Sequence, residues 1–163
     1  MLAAVKIRGT NGSHPAAVKT VELLRLNRIN HMVLLEDNPV NRGMLQVVKD
    51  YVTWGEIDLE TLKKVIEFRA LAPGRKPLNE EILKEKGFSS TDDLAKAIFD
   101  GKSKLKDLGL VPVLRLNPPR GGYEAVRKSF KEGGTAGYRG AKINDLILRM
   151  LKPGVNLSGK NKD

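Results

Sequence analysis

The order of hydrophobic patterns along this chain predicts an α+β fold. Residues 1–57 alternate short apolar runs with stretches whose apolar side chains recur at helical spacing, a βαβαβ succession. Residues 58–109 switch to one helical pattern after another. A strand-like run at Leu110–Leu116 and a helix-like run at Ile143–Leu151 then enclose a segment rich in glycine, proline and arginine. Alternating elements followed by a block of helices belong to mixed architectures rather than to all-α or all-β ones. The chain has 163 residues, 40% of them hydrophobic. That suits one domain with a proper core, or a core plus a sizeable insertion, since domains commonly hold ~100–200 residues.

The first strand is expected over Ala3–Arg8, followed by turn chemistry at Gly9-Thr10-Asn11-Gly12-Ser13. Pro15 suits the first turn of a helix capped by Ser13 or His14, with Ala17, Val21 and Leu24 on its buried face. Met32–Leu35 reads as a second strand, and Asp37-Asn38-Pro39 breaks it. Asn41 is expected to cap the next helix, whose Met44, Val47, Val48 and Tyr51 recur at i, i+3, i+4 and i+7. Val52-Thr53-Trp54 is a third strand with Gly55 after it.

Asp58 can cap a helix that buries Leu62, Val65 and Ile66 and ends at Pro73-Gly74. Asn79–Lys86 is a short helix stopped by Gly87. Ser90 with Asp93 resembles a capping box, followed by Leu94, Ala97 and Ile98 on one face. Leu110–Leu116 returns to strand character, and Pro112 argues for its first residues or an edge position. The chain thus divides into a βαβαβ core (1–57), an inserted helical lobe (58–109), a strand, basic glycine-rich loop and C-terminal helix returning to the core (110–157), and a disordered tail (158–163).

The formal charge is +10, and it is unevenly spread. Residues 1–54 carry 7 Lys and Arg against 4 Asp and Glu, residues 55–110 carry 11 against 11, and residues 111–163 carry 11 against 4. Excess charge concentrated at the two ends of the chain favours contact with a polyanion, because each neutralised phosphate releases counterions. A membrane surface is disfavoured: no helix joins a lysine-rich face to a bulky apolar one, and no apolar run approaches ~20 residues. Cysteine is absent, which excludes disulfides, thiolate metal sites and thiol nucleophiles. Lys6 and Arg8 interrupt Met1–Val5 before a signal-peptide core could form, so a cytoplasmic protein is expected.

Catalytic constellations in this chain fail on spacing. His14 and His31 stand alone, with no cysteine near either. Glu36 and Asp37 are adjacent, hence on opposite sides of an extended chain, and make a poor carboxylate pair. Gly154–Asn161 nearly spells a phosphate-binding loop, but Asn161 replaces the required Ser or Thr and no helix can follow. Gly134-Thr135-Ala136-Gly137 has the G-x-x-G spacing of one RNA module without its helical flanks. No enzyme activity, metal, cofactor or small-molecule substrate is expected.

The candidate site residues are basic or amide side chains at element ends. Arg25, Asn27 and Arg28 close the first helix, where cations suit the helix dipole as well as RNA. Asn41 and Arg42 open the second; Asn41 suits plain capping, whereas Arg42 opposes the dipole there and so points to function. Arg115, Asn117, Arg120, Arg139 and Lys142 flank the glycine-rich region. Tyr123 and Tyr138 suit either base stacking or covering of the core.

Asp37-Asn38-Pro39-Val40-Asn41-Arg42-Gly43-Met44-Leu45, with Leu26-Asn27-Arg28-Ile29 before it, resembles the signature of large-subunit ribosomal protein family thirty, the equivalent of eukaryotic large-subunit protein seven. Residues 3–57 are similar to the whole short bacterial form. The helical block and Gly133–Asn144 resemble the longer archaeal version, and no lysine-rich eukaryotic-type extension precedes them. The resemblance implies a ferredoxin-like sheet with two packed helices and a non-catalytic structural constituent of the ribosome. Its partner would be large-subunit ribosomal RNA near the 5S RNA, with neighbouring ribosomal proteins. It carries RNA contact onto Arg28, Asn41, Arg42 and Arg139. Gly9–His14 lacks the cations that bacterial members place in that turn, and Lys19 is the candidate replacement. A free regulatory RNA-binding module is the alternative.

Overall fold

A computed structural model describes residues 1–151. Three strands form its centre: β1 (Leu2–Lys6), β2 (His31–Leu35) and β3 (Val52–Glu56). β1 lies in the middle and pairs antiparallel with both neighbours, Ala4 facing Val33 on one side and Trp54 on the other. Leu2, Ala3, Ala4 and Val5 are all buried, as a strand covered on both faces requires. Two short strands extend the edges, β6 (Leu114–Arg115) antiparallel to β2 and β7 (Gly137–Tyr138) parallel to β3, giving the order β6-β2-β1-β3-β7. β1 stops at Lys6 rather than Arg8 because Ile7 and Arg8 turn both amides onto the Tyr51 carbonyl.

One face of the sheet is covered by α1 (Pro15–Leu23) and α2 (Pro39–Val47), through Val21, Leu24, Leu45 and Val48 against Leu2, Ala4, Val52 and Trp54. α1 begins as expected, with Pro15 in its first turn and His14 Nδ1 accepting the Ala16 amide at 3.2 Å. α2 differs in two respects. Its cap is Asn38, whose Oδ1 accepts the Asn41 amide at 2.7 Å, because Pro39 occupies the first helical position and the cap must precede it. Asn41 instead donates its side-chain amide to the Glu36 carbonyl at 2.9 Å. The buried face is Leu45 and Val48, while Val47 points outward.

The other face carries α3 (Leu59–Arg69), α5 (Thr91–Phe99) and α6 (Ile143–Leu151). The helical segment expected over 58–109 lies directly on the sheet: Leu62, Val65, Leu94 and Ile98 share one apolar cluster with Ala3, Val5, Ile143 and Ile147. In α3, Leu62, Val65 and Ile66 are buried, but Asp58 makes no side-chain cap; its amide donates to Asn144 Oδ1 at 2.9 Å. α3 ends at Arg69, ahead of the expected stop, and a hairpin of two-residue strands, β4 (Leu71–Ala72) with β5 (Lys76–Pro77), takes over. α4 (Glu80–Glu85) stops before left-handed Gly87, and Ser90 Oγ caps α5 at the Asp93 amide, 3.2 Å away. Ala95 rather than Ala97 completes the buried face of α5.

The strand expected over Leu110–Leu116 shrinks to Leu114–Arg115, since Pro112 lacks the amide a longer ladder needs. The second half of the glycine-rich stretch is packed rather than open, with Gly134–Gly137 and Arg139 buried against β3, while Gly121, Gly122 and Gly133 stay exposed. Gly55 makes this approach possible, because a Cβ there would lie 1.9 Å from the Gly140 carbonyl oxygen. The tail expected at 158–163 and the loop-like Gly154–Asn161 lie outside the described residues.

Candidate nucleic-acid interface

Antiparallel topology gathers residues from distant parts of the chain at one end of the sheet. β1 ends there with Lys6 and Arg8, β2 begins there after Arg25–Asn30, and β3 begins there after Lys49–Tyr51. β6 delivers Arg115 opposite His31, and the chain continues into Asn117 and Arg120. Direct contacts tie these segments together. Asn30 donates its amide to the Lys6 carbonyl at 2.8 Å, Lys6 Nζ donates to the Asn27 carbonyl at 3.4 Å, and the Arg8 guanidinium lies 5.5 Å from the centre of the Tyr51 ring.

Electrostatics show how closely the cations crowd. Burial and then the charges of Arg115, Arg28 and Lys6 push the His31 imidazole below its usual value, so it is held neutral. Burial likewise lowers Lys6. Among the described residues, Arg8, Arg25, Arg28 and Arg115 form no ion pair with a carboxylate. Arg25, Asn27, Arg28, Arg115 and Arg120 are exposed, and Asn117 is half-buried with its amide anchored on the Met150 carbonyl at 3.1 Å.

Arg25 occupies a place normally reserved for glycine. Its φ is +61°, its amide donates to the Glu22 carbonyl at 2.9 Å, and the next amide, of buried Leu26, reaches back to the Val21 carbonyl at 3.0 Å. This is a Schellman C-cap with arginine in the left-handed position. A side chain there costs about 1–2 kcal/mol. The fold gains nothing visible from it, since the arginine is exposed and unpaired among the described residues.

Asn41, Arg42 and Lys142 stand at the opposite end of the sheet, roughly 14 Å away for the four steps of a five-residue strand at about 3.4 Å each, and Tyr138, paired with mid-strand Trp54, reaches towards that end with its hydroxyl. Charge is compensated there. Arg42 forks onto Asp37, with Nη2 at 2.7 Å from Oδ2 and Nε bonded to Oδ1. The pair lowers the Asp37 carboxyl and raises the Arg42 guanidinium. The dipole mismatch read from sequence at Arg42 is thus met by an acidic partner just ahead of the helix. Tyr138 donates its hydroxyl to Glu56, 2.7 and 2.9 Å from the two carboxylate oxygens, with its ring centre 6.3 Å from that of Trp54. Lys104 pairs with Glu36 at 2.9 Å, and Lys142 is exposed. Lys19 sits on the outer face of α1, 3.6 Å from Glu22. The candidate residues therefore fall into two groups rather than one footprint.

Arg139 requires a correction. Parallel pairing of β7 with β3 leaves Tyr138 outward and turns Arg139 inward, where it is only 7% exposed. Its Nε donates to Thr53 Oγ1 at 2.9 Å, its Nη2 to the Thr135 carbonyl at 3.0 Å, and its guanidinium lies 4.9 Å from the centre of the Phe130 ring. Thr53 in turn donates to the Gly137 carbonyl at 2.9 Å. Arg139 is a clamp between the glycine-rich segment and β3, and an RNA phosphate has no access to it. Tyr123 also faces inward, packing on the core of α6.

Lys6, Arg8 and His31 belong to the cationic end and were missed as site residues. Their signal was indirect: in an antiparallel sheet, the end of β1 and the start of β2 must meet, so basic residues at those two places share a surface. Among the described residues no group of three or more His, Asp and Glu is close enough to share a metal ion, and no helix is long and apolar enough to cross a membrane.

Comparison with known proteins shows the family of the chain. Residues 2–52, from the start of β1 to the first residue of β3, match the family model described as ribosomal protein L30p/L7e. The chain is similar over its whole length to a large ribosomal subunit protein uL30 of Thermoplasma acidophilum, 58% identical with all of both chains covered. A protein of the same name from Thermoplasma volcanium is 54% identical over the same coverage. One from Methanobrevibacter smithii is 48% identical over 93% of this chain and all of the relative.

Proposed function

Because the chain belongs to the L30p/L7e family of ribosomal proteins, in its archaeal form, we propose that it is a structural constituent of the large ribosomal subunit that grips ribosomal RNA with the cationic end of its sheet. The family is structural and not enzymatic, and the work of this chain is to hold shape, not to carry out a reaction. One observation carries the RNA reading: strand pairing and the turn before β2 bring Lys6, Arg28 and Arg115 together beside His31, and no carboxylate pairs with the exposed arginines there among the described residues.

Arg8, Arg25, Arg28, Arg115 and Arg120 supply planar donors that fit phosphate oxygens, and exposed Asn27 supplies an amide for sugar or phosphate, whereas the Asn117 side-chain nitrogen is buried and stays out of reach. The neutral imidazole spares the patch one further positive charge. The opposite end, with Asn41, Arg42, Tyr138 and Lys142, is a secondary contact whose Arg42 must share itself with Asp37. The two ends together suit a bridge between separate RNA segments. A position beside the 5S RNA and against neighbouring ribosomal proteins, in the cytoplasm, completes the reading.

The test is the salt dependence of binding to in vitro transcribed large-subunit ribosomal RNA. Arg28→Ala with Arg115→Ala should reduce the logarithmic salt slope by roughly 0.9 for each lost contact, the duplex-DNA value. Arg42→Ala with Lys142→Ala should reduce it less. The reverse ranking would overturn the assignment of the primary surface. Failure to co-sediment with large subunits would favour a free regulatory RNA-binding role instead.

A further inference from the structure

Building on the RNA-binding reading of the cationic end, we propose that Tyr123 is a positioning residue, a latch by which the glycine-rich loop holds the Arg25–His31 segment in its RNA-competent shape. Much of the exposed charge of that end comes from this segment, yet its side chains pack little: Arg25, Asn27, Arg28 and Ile29 are all exposed. It is secured at its two ends, by buried Leu26 and by Asn30.

Asn30 is a junction of three structural parts. Its amide donates to the Lys6 carbonyl of β1 at 2.8 Å, its carbonyl accepts the Leu116 amide after β6 at 3.1 Å, and its Oδ1 accepts the Tyr123 hydroxyl at 2.6 Å. Its φ is +67°, the left-handed region that asparagine tolerates better than other side chains but does not prefer. A short amide gripped from outside its own loop selects that conformation over the extended alternatives.

Tyr123 can serve as the fixed side of this contact because it is itself held by α6. Its ring packs on the cluster that contains Met150, with the hydroxyl 3.9 Å from the Met150 sulfur. The loop around it is pinned to the same helix by the Asn117 amide on the Met150 carbonyl and by Arg149 Nη2 on the Gly122 carbonyl, both 3.1 Å. The chain of contacts runs from α6 through Tyr123 to Asn30. Next to Asn30, the His31 amide reaches the Arg28 carbonyl at 3.2 Å, which sets where Arg28 stands relative to Arg115. The glycine-rich loop thereby shapes the RNA surface from behind.

Tyr123→Phe removes the hydroxyl and keeps the ring. Measured in the full chain, it should shift the amide resonances of Arg28, Asn30 and His31, distant in sequence from the substitution. Affinity for large-subunit ribosomal RNA should fall about fivefold, the factor that corresponds to one net hydrogen bond. Asn30→Gly, which removes the acceptor but takes up φ +67° freely, should move the same resonances, and Tyr123→Phe should add no further shift or loss of affinity in the double variant. Additive losses, or unmoved resonances with unchanged affinity, would overturn the latch. If the wild-type chain itself binds the RNA without salt dependence, the interface reading fails. The resonance shifts then still decide whether Tyr123 holds Asn30.

Discussion

Replacing Arg25 with glycine separates folding from RNA binding at a single position. Arg25 holds the left-handed residue of the Schellman cap on α1, with φ +61° and no ion pair among the described residues. Relief of the left-handed conformation returns about 1–2 kcal/mol. Glycine gives back about 0.5–1 kcal/mol through the greater freedom of the unfolded chain. The net is a gain of about 0–1.5 kcal/mol, read as a rise in the denaturation midpoint at unchanged denaturant dependence. RNA binding should move the other way. Loss of one phosphate contact should reduce the logarithmic salt slope by roughly 0.7 if the partner is single-stranded and 0.9 if duplex. A variant destabilised by more than about 1 kcal/mol would refute the conformational argument, since net glycine cost cannot exceed that figure once strain is relieved. A stabilised variant with an unchanged salt slope would show that Arg25 does not touch phosphate, leaving its place in the cap without a reason.

Other predictions follow from the same geometry. Arg139→Met should destabilise the chain by roughly 2–3 kcal/mol, because the Thr135 carbonyl loses its donor inside the fold, while the RNA salt slope stays at the wild-type value; a reduced slope at full stability would return Arg139 to the interface. Gly55→Ala should destabilise by about 1–3 kcal/mol or more, since its Cβ meets the Gly140 carbonyl at 1.9 Å, and a neutral result in chemical denaturation would contradict the close approach. His31 titrates below its ordinary value in the fold, so between that lowered value and about pH 6.5 the unfolded chain binds more protons and stability must fall as pH falls. His31→Gln should flatten the stability profile between pH 7 and 5.5; an unaltered profile would mean that the imidazole is not held neutral.

The parts of the fold legible in the sequence are those decided locally. α6 runs over Ile143–Leu151 as its apolar spacing requires, the Ser90 cap is where the box pattern puts it, and Leu62, Val65 and Ile66 form the inner face of α3. Elements decided by distant partners were not legible. β7 exists only because Thr53 and Trp54 of β3 offer it an edge, and β6 is cut to two residues by the extent of β2 and by Pro112. The hairpin at 71–77 has strands too short to show any alternation. The site divides in the same way. Basic residues at helix and strand ends were visible as charge, but charge alone does not say which arginine turns inward. Arg139 reads like its neighbours until parallel pairing with β3 sets its direction. Arg42 reads as an unopposed cation until the turn before α2 folds Asp37 beneath it. Lys6 and His31 enter the cationic end through antiparallel register, which joins residues 25 positions apart.

The most direct measurement is a cross-linking map of protein to RNA in intact large subunits, read residue by residue. Cross-links concentrated at residues 6–8, 25–31 and 115–120, with fewer at 41–42 and 138–142, are the predicted result. Cross-links confined to the outer faces of α3 and α5, with the cationic end untouched, would contradict the account.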